Sequence, residues 1–252
     1  MARAALALVL AACSGAADDG VDARPPPGEH LPGSVSISQY LSPDRTSILA
    51  SFQDGRDQCA ETAVNGCTFT SCGIDSLASA FDAGTITVAG TSVRALAPIR
   101  TSTSQITYRY GSNVHDFVDG EPLTISTTGA TVPKFSATLS MPTRASVARP
   151  SSLVIDRSQP FTFTWTGGDG DVVIYWSFWG TQSINCHFPA SAGSATVPAD
   201  VMAMLVADKG YLTFVTRSDV RVTAGPWDVQ VSALQHAAWP DGSVADTSVT
   251  FQ

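Results

Sequence analysis

From Ser34 onward, hydrophobic and polar residues alternate along the chain with a period of two. Thr85-Ile86-Thr87-Val88 is followed by Ile106-Thr107-Tyr108-Arg109-Tyr110 and by Leu123-Thr124-Ile125-Ser126; later come Phe161-Thr162-Phe163-Thr164-Trp165 and Trp227-Asp228-Val229-Gln230-Val231-Ser232. In each run one face is aliphatic or aromatic and the other is Thr, Ser or charged, which is the pattern of a strand with one side in a core and one in water. Such half-buried strands belong to antiparallel sheets. Turn residues punctuate the runs at Asn65-Gly66, Gly167-Gly168-Asp169-Gly170, Ser218-Asp219 and Asp241-Gly242. Many short strands at turn spacing, without alternating helices, predict an all-β fold, an antiparallel β-sandwich of the immunoglobulin-like kind. Helical signals are confined to residues 76–81, behind a capping Asp75, and to residues 199–207.

The pattern is interrupted at 142–152, where Pro142, Arg144, Arg149 and Pro150 fall between strand runs. This predicts two tandem sandwiches, an N-terminal β domain over 34–145 and a second over 146–252. The likeness of Pro122–Gly129 to Pro160–Gly167 is a shared strand-and-turn idiom, since copies so close together cannot be whole sandwiches in register.

The first 33 residues follow another logic. Arg3 supplies a positive charge, Ala4 to Leu10 is an apolar run, and Leu10-Ala11-Ala12-Cys13 follows. The run is too short to cross a bilayer, which takes about 20 apolar residues, and reads as a signal peptide over 1–12. Leu-Ala-Ala-Cys matches the bacterial lipobox at every position, so the chain resembles lipoprotein precursors of the signal peptidase II type. That resemblance implies that Cys13 carries the acyl chains, palmitate among them, and becomes the mature N-terminus. Ser14 in the next position implies sorting to the outer membrane, periplasmic or surface-exposed. Residues 13–33 hold Pro25-Pro26-Pro27, several Gly and the acids Asp18, Asp19, Asp22 and Glu29, the composition of a disordered, partly extended tether. With the strands behind it, Phe188 to Pro198 among them, the chain is similar to Gram-negative lipoproteins with immunoglobulin-like bodies, a likeness that brings no activity with it.

Composition narrows the partners. The 252 residues are 44% hydrophobic and 14% charged, with 14 Lys and Arg against 22 Asp and Glu, a net charge of −8. A polyanion needs clustered basic residues, so nucleic acid is excluded as a partner. The membrane is reached through the lipid anchor, leaving an unknown protein or an envelope polysaccharide as the partner. No cofactor is implied.

With Cys13 on lipid, Cys59, Cys67, Cys72 and Cys186 remain, an even number suited to an oxidising compartment. A two-residue type I′ turn at Asn65-Gly66 places Val64 opposite Cys67 and, counting outward, Cys59 opposite Cys72. That pair is of the close, non-hydrogen-bonded kind, within disulfide range. Cys67 then points to the other face, toward Cys186; a wider loop would pair Cys59 with Cys67 instead. No C-x-x-C or paired-ligand spacing points to a metal.

Motifs for catalysis are missing: there is no G-x-S-x-G, no S-x-x-K set and no H-E-x-x-H. His30, His115, His187 and His236 are scattered, and His115-Asp116 side by side is not a triad. Asp169-Gly170-Asp171 and the group Asp116, Asp119 and Glu121 lack the full calcium-loop spacing and read as turns. The chain is therefore read as non-enzymatic. Tyr175-Trp176-Ser177-Phe178-Trp179 places Tyr175 and Trp179 on one face of a strand and Trp176 and Phe178 on the other. Both faces cannot be core in a two-sheet sandwich. The Tyr175/Trp179 pair is either packing against the other half or a candidate platform for sugar rings. Trp165, Trp227 and Trp239 read as anchors of the second sandwich.

Overall fold

The computed structural model describes residues 30–41, 44–54, 59–72, 79–102, 105–178 and 182–252. The N-terminal half gives β1 (Leu31–Leu41), β2 (Asp44–Phe52), β3 (Cys59–Val64), β4 (Cys67–Cys72), β5 (Ile86–Ala89), β6 (Val93–Leu96), β7 (Ile99–Ser102), β8 (Gln105–Ser112), β9 (Pro122–Thr127) and β10 (Ser136–Ser140). On the predicted boundary itself lies β11 (Ala145–Val147), and after it come β12 (Val154–Ile155), β13 (Phe161–Gly167), β14 (Asp171–Phe178), β15 (Gln182–Pro189) and β16 (Ser194–Val197). The single α-helical turn among the described residues, α1 (Ala199–Met202), precedes β17 (Lys209–Ala224), β18 (Trp227–His236) and β19 (Asp246–Phe251). The fold is all-β, as the alternation predicts. The other helical expectation fails where it can be seen: Ala80 bridges to Gln53 and the Phe81 amide donates to the Phe52 carbonyl.

One hydrogen-bonded sheet runs through both halves in the order β3-β4-β15-β14-β17-β18-β1-β2-β8-β7, with β19 on β17 and β12 on β19. A four-stranded sheet (β10-β9-β5-β6) and a three-stranded one (β11-β13-β16) complete the strand inventory. Most pairings are antiparallel, but β1 lies parallel to β18 and β12 parallel to β19. The sixteen residues of β17 make the continuity possible. Lys209 to Thr213 pair with β19 along one edge, and Val215 to Ala224 pair with β18 along that same edge, so β19 and β18 lie end to end.

Two hydrophobic cores result. In the first, Val35, Ile37, Ile48, Phe52 and Tyr108 of the long sheet share a cluster with Ile86, Val88, Leu123 and Ile125 of the four-stranded sheet. Trp227, Val229 and Val231 belong to this cluster too, so Trp227 anchors the first core and not the second. The reason is the β1–β18 pairing, which sets Trp227 beside Leu31. In the second core, Val172, Ile174, Trp176, Leu212 and Phe214 share a cluster with Phe163, Trp165 and Val197 of the small sheet and with Trp239. Burial of such side chains stabilises a fold by roughly 1.5–3 kcal/mol each.

A row of polar residues separates the two apolar fields. Thr216 pairs with Gln235, Gln235 with Gln39, Gln39 with Thr46, and Thr46 with Ser112, one residue per strand across β17, β18, β1, β2 and β8. The first four are fully buried. Buried polar groups need partners, and two loops supply them. Gln39 Nε2 donates to the Phe117 carbonyl (2.9 Å), Gln235 Nε2 donates to Asp119, and Thr46 Oγ1 accepts from the Asp116 amide (2.9 Å). From the segment between the cores, Arg144 donates to Gln235 Oε1 and to the His236 carbonyl, both at 2.9 Å.

The Asn65-Gly66 turn has positive φ at both residues, as type I′ requires, and β3 pairs with β4 in the derived register, Val64 opposite Cys67 and Cys59 opposite Cys72. The hairpin adds to the edge of β15, where Cys67 faces Cys186 directly and the two form a disulfide with Cα atoms 4.0 Å apart.

Candidate functional site

The side of the long sheet opposite the cores carries the chemistry. Its residues are those alternating with the core: Ser34, Ser36, Ser38 and Tyr40 on β1, Arg45, Ser47 and Leu49 on β2, Arg109 and Gly111 on β8. They continue as Gln230 and Ser232 on β18, Arg217, Asp219 and Arg221 on β17, and Tyr175 on β14. Ser34, Arg45, Leu49, Arg109, Asp219 and Arg221 are exposed, and most of the others are half-buried.

Tyr175 is half-buried, and Arg217 Nη1 donates to its hydroxyl at 3.1 Å. The same guanidinium donates from Nε to Asp219 at 2.8 Å and from Nη2 to Ser232 Oγ at 3.0 Å, while Ser232 Oγ donates to Asp219 at 2.6 Å. Burial pushes the Tyr175 hydroxyl up against the opposing pull of Arg217. Burial alone would lower Arg217, but Tyr175 and Asp219 outweigh it and raise it. The result is a neutral phenol beside a permanently charged guanidinium, locked across three strands. Trp179, the expected partner of Tyr175, and Cys13 lie outside the described residues. Trp176, on the opposite face, is fully buried.

Three histidines each meet an aspartate. His115 Nε2 lies 3.7 Å from Asp44, His187 Nδ1 lies 3.4 Å from Asp171, and His236 Nδ1 lies 3.0 Å from Asp246. The last pair forms where β18 ends and β19 begins along β17, and the His236 ring packs on Tyr40 with centroids 4.1 Å apart. A His held by an Asp at Nδ1 is two thirds of a triad. Among the described residues no hydroxyl hydrogen-bonds to His236. The acidic loops are also committed. Asp116 binds Arg94 and Ser112, Asp119 binds Gln235, Glu121 accepts from the Thr91 and Val118 amides, and Asp169 accepts from the Thr143 amide. No cluster of three metal-ligating side chains occurs among the described residues.

Two open depressions border this face. One, of about 490 Å³, is lined by Thr138, Ser140, Asp171, Arg217, Asp219 and Val220, whose charges already pair with one another or with His187. The other, of about 500 Å³, is lined by Arg45, Ser47, Leu49, Arg109, Gly111 and Asn113 among others, with no Asp or Glu in its wall. The sequence signal for this cleft was present but faint. Arg109 stands on the polar side of its alternating run, yet alternation does not show which outward residues of different strands converge.

No family model matches the chain, and no curated protein matches it. Among solved structures, one match belongs to work on host cell surface retention of a 1.5-MDa bacterial ice-binding adhesin. It covers 77% of this chain and 74% of that one, at 11% identity and a TM-score of 0.20, a level at which the likeness fixes neither fold nor function.

Proposed function

We propose that this protein is a non-enzymatic lipoprotein of a bacterial outer membrane, anchored through Cys13, that binds a protein or envelope partner through the side of its long sheet facing away from the cores. The observation that carries the reading is the breadth of that side, which spans strands of both halves and presents the exposed residues Ser34, Arg45, Leu49, Arg109, Asp219 and Arg221 beside a buried patch at Val173, Val215 and His236. A sheet with one side on a core and the other in water is stable without a partner, so its outer residues are free to serve recognition. Multiple acyl chains on Cys13 would hold such a body at the membrane durably. A carbohydrate- or cell-wall-binding role is the second reading, favoured by the cleft around Arg45 and Arg109.

Fractionation of cells making the full chain or Cys13→Ser tests the anchor. The variant is expected in the soluble fraction and the parent in membranes; full retention of the variant in membranes would overturn the lipoprotein reading. The soluble Cys13→Ser chain is then expected to be retained on immobilised envelope material. No retention would remove the binding role.

A further inference from the structure

Nine arginines are described, and seven of them spend their guanidinium on the protein itself. Arg94, Arg100, Arg149, Arg217 and Arg221 bind aspartates, Arg144 binds Gln235 and the His236 carbonyl, and Arg157 binds the Leu205 carbonyl. Arg45 and Arg109 have no hydrogen-bond or carboxylate partner among the described residues, and they line the same cleft. In a chain of net charge −8 this is a local reversal of sign. Neither residue stabilises the fold by ion pairing, and both are exposed.

The geometry points to an acidic polysaccharide as the ligand of this cleft. Arg109 faces Leu49 across the β2–β8 pair, four residues along β2 from Arg45. At about 3.4 Å per residue along the strand and about 4.8 Å across to its neighbour, that separates the two backbones by roughly 14 Å. Two charges so spaced match separate anionic groups on an extended chain better than one small ion. Between them lie Ser47 and Gly111, directly paired, and a Cβ on Gly111 would meet nothing closer than the Thr46 carbonyl at 4.0 Å, so the floor is open. The Arg45 guanidinium lies 4.0 Å from the Tyr40 ring centroid, a contact that steadies it without neutralising it. Ser47 and Asn113 offer hydroxyl and amide groups for sugar hydroxyls, and Leu49, 48% exposed, offers an apolar surface for sugar C–H groups. Two cations are too few for an anionic membrane surface, where recognition takes clusters of about four to eight, and far fewer than a nucleic-acid backbone demands.

This inference rests on the envelope-binding reading and deepens its second form. The test uses the soluble Cys13→Ser chain with polygalacturonate, which carries a carboxylate on each sugar, against neutral dextran, poly-glutamate and phosphatidylglycerol vesicles. Binding of polygalacturonate alone is expected, weakening as salt shortens the Debye length from about 30 Å to about 8 Å. Arg45→Gln/Arg109→Gln should weaken it at least tenfold. Gly111→Leu should do the same by filling the floor. Thermal midpoints should stay unchanged in both variants. No binding of polygalacturonate, binding indifferent to these substitutions, or equal binding of poly-glutamate or vesicles through the same residues would overturn the inference. If envelope material still retains the double variant as well as its parent, the polysaccharide cleft fails while the binding role stands.

Discussion

Gln235 donates from Nε2 to Gln39 Oε1 at 2.9 Å, joining residues 196 apart in sequence at the boundary between the two cores. Both side chains are fully buried in the row that runs from Thr216 to Ser112. Gln235 is the busier of the two, because it also accepts from Arg144 and donates to Asp119. Replacing it with Leu strands two charged groups as well as Gln39. Gln235→Leu is therefore expected to cost about 3 kcal/mol, and Gln39→Leu about half that. Urea unfolding of the two variants checks the order; equal costs would show that Arg144 and Asp119 find other partners.

The Cys67–Cys186 bond closes a sequence separation of 119 residues and holds the β3–β4 hairpin on the edge of β15. A cross-link over so long a loop removes much entropy from the unfolded chain, about 5 kcal/mol in the loop-closure model. Cys67→Ala/Cys186→Ala should lower stability by roughly that amount. The hairpin amides should then exchange faster than those of β14 and β17. The β3–β4 register predicts a second bond, and non-reducing peptide mapping is expected to recover Cys59 linked to Cys72. A Cys59–Cys67 peptide would refute both pairings.

The strands were legible because half-burial leaves its mark on every second residue, and the β3–β4 register because Asn65-Gly66 admits essentially one tight turn. The sharing of one sheet was not. Nothing local in Leu31–Leu41 shows that it lies parallel to Trp227–His236, since parallel partners are set by packing across long sequence separations. The polar row hides for the same reason. Gln39, Thr46, Thr216 and Gln235 each look like an isolated exception to an apolar series, and only the cross-strand pairing turns them into a boundary. The site is similar: Tyr175 stands out for its ring, but its network depends on Arg217 and Ser232, whose partners alternation cannot name.

Asp116 supplies a pH test. Burial pushes its carboxyl up, but hydrogen bonds from Arg94, Ser112 and Tyr110 prevail and hold it below the usual carboxylate range. A carboxyl lowered on folding contributes stability that is complete above its unfolded value, about 3.9, and is lost as pH falls through the folded value. Arg94→Met leaves a side chain that is 1% exposed without its counter-charge. The variant is expected to be less stable at neutral pH and to unfold at a higher pH during acid titration. An unchanged acid midpoint would show that Ser112 and Tyr110 alone hold the carboxylate.

Two buried tryptophans of the second core differ in one atom's circumstances. Trp165 Nε1 donates to the Ala190 carbonyl at 2.8 Å, whereas Trp176 Nε1 is buried without a partner among the described residues. Both rings lie in the same cluster, with Trp165 4% exposed and Trp176 fully buried, so conversion to Phe removes similar volume from each. The polar term then decides. Trp165→Phe gives up a hydrogen bond worth about 1 kcal/mol, while Trp176→Phe relieves an orphaned donor whose burial costs about 1–3 kcal/mol. Trp176→Phe should therefore be the milder change by about 2 kcal/mol, read from urea midpoints at constant m-value. The reverse order would mean that the Trp176 N–H has a partner in solution, bound water or a group outside the described residues, and that this core is wetter than its apolar lining suggests.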